Sequence, residues 1–226
     1  MSQIEVELLL FETACRNGPY QIYHLLSGVD LPIKTNDYIH DFISKNKGKE
    51  FVGYARALSR DLEKRALYYN LFTKFYKPRN LILKLFFIMI RFVFEFIVNL
   101  FIKRTSDHEL KKGCNWISIT HDFCCYLTAH KKSLLKKYHH TCACDEIFVQ
   151  TLLWNSPYRN NIYTTRDEFE GCLRLIDWNR GNPYTWKIED KDTIRKTDAL
   201  FARKFDLEEY PDIISFIKDE FYRNND

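Results

Sequence analysis

Three features of the sequence predict an α/β fold in one domain, residues 1–226. Apolar runs of strand length alternate with longer runs of helical periodicity, and Gly, Pro and Asn mark the junctions. A chain of 226 residues with 46% hydrophobic content can bury one substantial core, while two would strain it.

The elements follow in order. Ser2 to Arg16 reads as an amphipathic helix, with Ile4, Leu8 and Phe11 on one side and Glu5 and Glu12 among its polar positions. Tyr20 to Leu26 reads as a buried strand that ends at the Ser27-Gly28 turn. Thr35 or Asn36 can cap a helix running to about Asn46, Phe51 to Tyr54 is a short strand, and Ser59 to Tyr76 is helical until Lys77-Pro78 stops it. Farther on, Asn115 to Thr120 reads as a strand, His121 to His130 and Glu146 to Leu153 as helices, and Arg174 to Trp178 as a strand entering the turn Asn179-Arg180-Gly181-Asn182-Pro183. Asp212 to Tyr222 closes the chain as a helix after Pro211. There is no internal repeat and no low-complexity tract.

Composition narrows the partners. The net charge of +4 comes from 34 basic and 30 acidic residues dispersed along the chain, which is not the concentrated footprint of a nucleic-acid binder. Seven cysteines without regular spacing point to a reducing compartment and free thiols, the close pair Cys142 and Cys144 included. No signal peptide opens the sequence.

Residues 81–102 hold seventeen Leu, Ile, Val or Phe in twenty-two positions, long enough as a helix to cross a bilayer core of about 30 Å. Insertion of those residues contributes roughly 5–10 kcal/mol, which Arg91 and Glu95 near the centre offset by about 5–7 kcal/mol. Lys84, Arg91, Glu95 and Asn99 fall on one stripe at about 100° per residue, an amphipathic pattern. The reading is therefore an inserted helix, residues 81–104, lying in a membrane interface, with Lys77, Arg79, Lys103 and Arg104 against an anionic surface. The alternative is a helix packed on the domain or in a dimer, with Arg91 and Glu95 paired one turn apart.

Several short constellations could carry chemistry. Asp145-Glu146 sets two carboxylates at a helix start, which fits either a catalytic acid or base or an ordinary acidic first turn. Asp30, after a buried strand, stands where open α/β sheets bind ligands. Asp190-Lys191-Asp192 has the form of a metal-binding Asp-x-Asp, but its place before a helix favours a solvated first turn. His139-His140-Thr141-Cys142-Ala143-Cys144 has soft ligands without the spacing of a zinc finger, and reads as a loop. Cys124-Cys125 and Cys172 read as small core residues.

Three segments carry a resemblance. They are His24-Leu25-Leu26-Ser27-Gly28-Val29-Asp30-Leu31-Pro32, then Asp145-Glu146-Ile147-Phe148 with the run to Leu153 and Asn155-Ser156-Pro157, then Phe201-Ala202-Arg203-Lys204-Phe205-Asp206. In this order they resemble glycosyltransferase family 14, which holds the core-2/I-branching N-acetylglucosaminyltransferases and the peptide O-xylosyltransferases. The resemblance covers most of the chain outside residues 55–110. Leu31 to Asn36 is similar to the branching enzymes, whereas Asn155-Ser156-Pro157 and Leu173 to Arg180 are more similar to the xylosyltransferases.

The resemblance implies a GT-A-like nucleotide-sugar fold, a mixed sheet flanked by helices, here lacking the first strand-helix-strand segment and with it part of the uracil and ribose site. It implies single-step transfer with inversion from a UDP-sugar, N-acetylglucosamine first and xylose second, to a hydroxyl of a glycan or lipid-linked glycan. Glu146 is then the base, with Asp145 its competitor. Arg174 and Lys204, helped by Arg203, neutralise the leaving diphosphate in place of a metal, so neither metal nor cofactor is expected. Asp30 faces the donor or orders its loops, and Trp178 and Asn179 line the sugar or acceptor pocket, although a Trp ending a strand is more often core. The expected location is peripheral, on the cytoplasmic face of a membrane. A non-catalytic, glycan-binding or membrane-associated remnant is the reading from another class.

Overall fold

Ser2 opens α1 (Gln3–Arg16) with a reciprocal capping box: its hydroxyl accepts from the Glu5 amide, and the Glu5 carboxylate accepts from the Ser2 amide. Ile4, Leu8 and Phe11 are buried as the periodicity predicts, and Glu7 is buried on the same face. The computed structural model describes residues 2–55, 60–70, 81–102 and 104–222. The helix expected from Ser59 to Tyr76 ends at Leu67, with residues 68–70 non-helical, while Ser59, residues 71–76, the stop at Lys77-Pro78 and the flanking cations Lys77, Arg79 and Lys103 lie outside those residues, as do the side chains of Lys84, Arg91 and Asn99.

The strands form two small sheets. In one, β1 (Ile22–His24) pairs antiparallel with β3 (Ser118–Thr120). In the other, β5 (Phe201–Arg203) runs between β2 (Asp30–Pro32), antiparallel to it, and β4 (Arg174–Ile176), parallel to it. The sheet is mixed, as the resemblance implies, but its strands are shorter than the sequence predicts and β2 and β5 are new. Three residues give too few alternations for periodicity to register, and Pro32 lacks the amide of an interior strand position.

Phe51 to Tyr54 is not a strand. Only Phe51 bridges to Ser118 and Glu50 to Ile162, because the chain is crossed just beyond. A Cβ on Gly53 would overlap the Glu168 carbonyl, and one on Gly113 would overlap the Gly53 carbonyl, so the backbones lie too close for side chains.

The helices are α2 (Asn36–Lys45), α3 (Arg60–Leu67), α4 (Leu81–Phe101), α5 (His121–Ala129), α6 (Lys131–Lys137), α7 (Phe148–Trp154), α8 (Glu168–Cys172), α9 (Lys191–Lys196) and α10 (Pro211–Ile217), the last continuing as a wider turn over Lys218–Tyr222. Thr35 caps α2 by accepting from the Tyr38 amide, and Thr120 caps α5 by accepting from the Phe123 amide. The helix expected from Glu146 begins only at Phe148, after a 3-10 turn over Cys144–Glu146.

The main core packs Leu8 and Phe11 of α1 against Phe123 and Leu127 of α5, Phe148 and Leu153 of α7, and Ile119 of β3. A second core sets Trp186, Ile194, Ile213 and Ile217 against Ala202 of β5, and Phe51, Leu173 and Phe201 lie in a third. Burial of each large apolar side chain contributes about 1.5–3 kcal/mol, which gives these short strands their stability.

α4 differs. Phe92 is 71% exposed, Phe96 63% and Phe101 79%, so the domain itself leaves these side chains uncovered, as both a membrane interface and a dimer contact would require. Among the described residues no helix is long and apolar enough to cross a membrane. Arg104, just beyond α4, donates to the Lys137 and His139 carbonyls and stacks 4.0 Å from the Tyr69 ring, so this cation is already engaged by the fold.

Candidate active site

Backbone contacts fix the turn that delivers Glu146. Ala143 takes a left-handed conformation with φ of 46°, Cys144 is buried, and the Glu146 carbonyl accepts from the Gly113 amide at 2.9 Å. Its carboxylate stands at the surface, the side chain 38% exposed, with Oε2 accepting from Arg65 Nη2 at 2.8 Å and lying 3.6 Å from Lys112 Nζ. Arg65 also donates through Nε to the Cys142 carbonyl at 3.4 Å and through Nη2 to the Ala143 carbonyl. One guanidinium thus holds both the turn and the carboxylate.

The two adjacent carboxylates part. Asp145 is half-buried, accepts from Asn115 Nδ2 at 3.4 Å, and is raised by burial. Beneath it burial pushes Glu7 up to about 8, with the Asp145 charge adding to the effect and hydrogen bonds from Asn115 and Gln3 opposing it. At neutral pH Glu7 is therefore largely protonated, and the inner pair carries less charge than two carboxylates would. Glu168, across the Gly53 crossing, is likewise raised by burial.

A second group lies along β2 and β5, where the antiparallel register sets Asp30 opposite Arg203. Asp30 Oδ2 accepts from the Ser27 amide at 2.7 Å, closing the turn before β2, and Oδ1 lies 3.5 Å from Arg203 Nε. The Arg203 guanidinium stacks 3.8 Å from the Trp116 ring, and Trp116 follows Asn115 of the first group. Lys204, next along, exchanges backbone hydrogen bonds with Tyr184 and Trp186, while its ammonium has no ion-pair partner among the described residues.

Arg174 has another setting. It is 3% exposed, with Nη1 donating to the Cys172 carbonyl at 2.6 Å and Nη2 to the Ile117 carbonyl and Ser118 Oγ, both at 3.3 Å, and to the Leu25 carbonyl at 3.5 Å. It stacks 4.3 Å from Phe201 and joins the two sheets through its side chain. Burial lowers its pKa, and among the described residues no carboxylate is in direct contact with it.

Trp178 and Asn179 occupy the turn after β4. Trp178 is 45% exposed, so it is not the core residue that a strand-ending Trp usually is, and the Asp177 carboxylate orders the turn by accepting from the Asn179 and Arg180 amides. No described contact links either residue to the Glu146 turn. In Asp190-Lys191-Asp192, Asp190 is spent on Arg180 and on the Lys187 amide, and the segment enters α9.

The sequence reading missed Arg65, Lys112, Asn115, Trp116 and Glu7. Glu7 had a signal, a carboxylate on the same helical face as Ile4, Leu8 and Phe11. Lys112 precedes the strand predicted from Asn115 to Thr120, and Asn115 and Trp116 open it. Arg65 had none, since it arrives from the region outside the resemblance.

Comparison with known proteins places the chain in a family. The profile of the family described as Core-2/I-Branching enzyme matches residues 1–199. Xylosyltransferase oxt of Drosophila melanogaster is 26% identical over 204 residues, which cover 80% of this chain and 21% of that protein. Xylosyltransferase 1 of Homo sapiens is 24% identical over 229 residues, covering 91% of this chain and 21% of its own length. Xylosyltransferase 1 of Rattus norvegicus, also 24% identical, is covered over 25%. The chain thus spans about a fifth to a quarter of the length of these relatives.

Proposed function

The chain belongs to the Core-2/I-Branching enzyme family, and on that premise we propose that it transfers a sugar from a UDP donor to a glycan or protein hydroxyl with inversion. The observation that carries the proposal is the outward Glu146 carboxylate on a turn fixed by backbone contacts. Glu146 takes the proton of the acceptor hydroxyl as that oxygen bonds to the anomeric carbon, while the bond from that carbon to the diphosphate breaks and UDP departs. Asp145, turned towards Asn115, shapes the floor beside it.

Lys204 and Arg203 hold the diphosphate in this reading, and no metal is required: a compact ammonium and a planar guanidinium stabilise the charge that develops on the leaving group. Arg174, spent on three carbonyls, positions the loops around them. Trp178 and Asn179, on an exposed turn, are proposed to meet the sugar or the acceptor.

Xylose is the donor to test first, because the matched relatives bear the name xylosyltransferase. N-acetylglucosamine is the second, on the likeness of Leu31 to Asn36 to the branching enzymes. The uncovered apolar side chains of α4 favour action at a membrane surface, with a lipid-linked glycan among the acceptors and the cytoplasmic face as the site.

The test is release of UDP and formation of product from UDP-xylose and UDP-N-acetylglucosamine, with wild type and Glu146→Gln side by side. Turnover that Glu146→Gln removes supports the proposal. Turnover that survives the substitution overturns the role of Glu146, and folded wild type that turns over neither donor supports the non-catalytic reading.

A further inference from the structure

Away from the Glu146 turn, three soft ligands converge where α1 ends and α5 begins. Cys15 lies in the last turn of α1, and His121 and Cys125 are one turn apart on α5, so they share a helix face. Their ligand atoms lie within 4.8 Å of one another, and all three residues are half-buried. Cys15 Sγ is 2.8 Å from Cys125 Sγ, which is 3.5 Å from His121 Nε2.

We propose that Cys15, His121 and Cys125 bind a zinc ion that ties α1 to α5, with water or an exogenous ligand in the fourth position. Two thiolates cancel the charge of the ion, and this nitrogen and sulfur set suits zinc over harder cations. A tetrahedral centre with zinc–sulfur bonds of about 2.3 Å sets two sulfurs roughly 3.8 Å apart. The Cys–His distance therefore needs little change, while the two sulfurs must separate by about 1 Å.

The surroundings of the histidine select this reading over a simple thiol pair. His121 Nδ1 lies 2.7 Å from the Tyr23 hydroxyl, leaving Nε2 towards the sulfurs. With Nε2 on the metal, Nδ1 carries the proton and donates to Tyr23 Oη, the outer contact that orients a ligating imidazole. By contrast, among the described residues no converging group includes His139, His140, Cys142 or Cys144, although that run is richer in ligands on paper.

Binding displaces a proton from each thiol, so affinity falls towards acid pH. The experiment is titration of the reduced, chelator-treated chain with cobalt(II) alone, read by thiolate charge-transfer absorption, and metal analysis after exchange to zinc. The expected result is one ion per chain, lost in Cys15→Ser and Cys125→Ser and retained in Cys142→Ser, with Tyr23→Phe weakening cobalt affinity about 10–100-fold. His121→Gln, followed by circular dichroism, separates loss of a ligand from loss of the fold. Absence of the absorption, or its survival in Cys15→Ser, overturns the proposal. An intact mass two hydrogens lower before reduction, with Cys15 and Cys125 in one linked peptide, also overturns it, since the pair is then a disulfide.

Discussion

At the Glu146 turn a carboxylate stands 38% exposed between the cations of Arg65 and Lys112, while at the joint between the sheets Arg174 is 3% exposed and spends its guanidinium on backbone carbonyls. Both lie within the region matched by the family profile, and the sequence reading gave both a place in the chemistry. Their surroundings differ in what they leave free. The Glu146 turn is held by a backbone contact to Gly113 and by Arg65, and the carboxylate it carries still faces solvent. Arg174 cannot release the buried Cys172 carbonyl without taking from it the 2.6 Å hydrogen bond that it accepts.

Substitution at each place separates the two. Glu146→Gln keeps the size of the side chain and is expected to lower transfer by about 10²–10⁴-fold, with the urea midpoint unchanged. A shifted midpoint makes the residue structural. Arg174→Met is expected to act first on stability, by about 1–3 kcal/mol, the cost of removing the partner of a buried acceptor such as the Cys172 carbonyl. An Arg174→Met protein as stable as wild type but unable to bind UDP would move Arg174 from the joint to the donor.

A smaller effect is expected at the crossing beneath Glu146. Gly113→Ala forces a methyl group against the Gly53 carbonyl and is expected to destabilise by about 1–3 kcal/mol, with transfer falling as the turn shifts. The smallest effect concerns pH. Burial holds Glu7 up at about 8 and Glu50 at about 7, both above the ordinary carboxylate value of 4.5. Between about 4.5 and 8 the folded chain therefore binds more protons than the unfolded one, and these groups lower stability as pH rises through that window. Glu7→Gln is expected to flatten the upper part of that slope in urea melts taken from pH 5 to 9. An unchanged slope would show Glu7 to be freely ionised.

Much of this could be read from the sequence because long periodic segments report their own burial. The face of α1, the Thr35 cap, one of the two candidates at that helix start, and the apolar stretch at α4 follow from spacing and side-chain chemistry alone. β2 and β5 did not, since three-residue strands are stabilised by partners distant in sequence, as Asp30 is by Arg203. The helix after Glu146 was legible, although it begins only at Phe148 behind a 3-10 turn, whereas the clamp on Glu146 was not: Arg65 is 81 residues away and meets Glu146 only in the fold. The Cys15, His121 and Cys125 cluster was hidden for the same reason, while the contiguous run at His139 to Cys144 joins no ligand cluster among the described residues.

Calorimetric titration of UDP in the presence of a chelator tests most directly whether this is a sugar-transferring site whose diphosphate is held by side chains. Wild type is expected to bind without added metal, and Lys204→Ala to bind about 10-fold more weakly, near the ~1.5 kcal/mol of one charge-assisted hydrogen bond. A folded chain that binds no UDP, or binds it only with a divalent cation, contradicts the account.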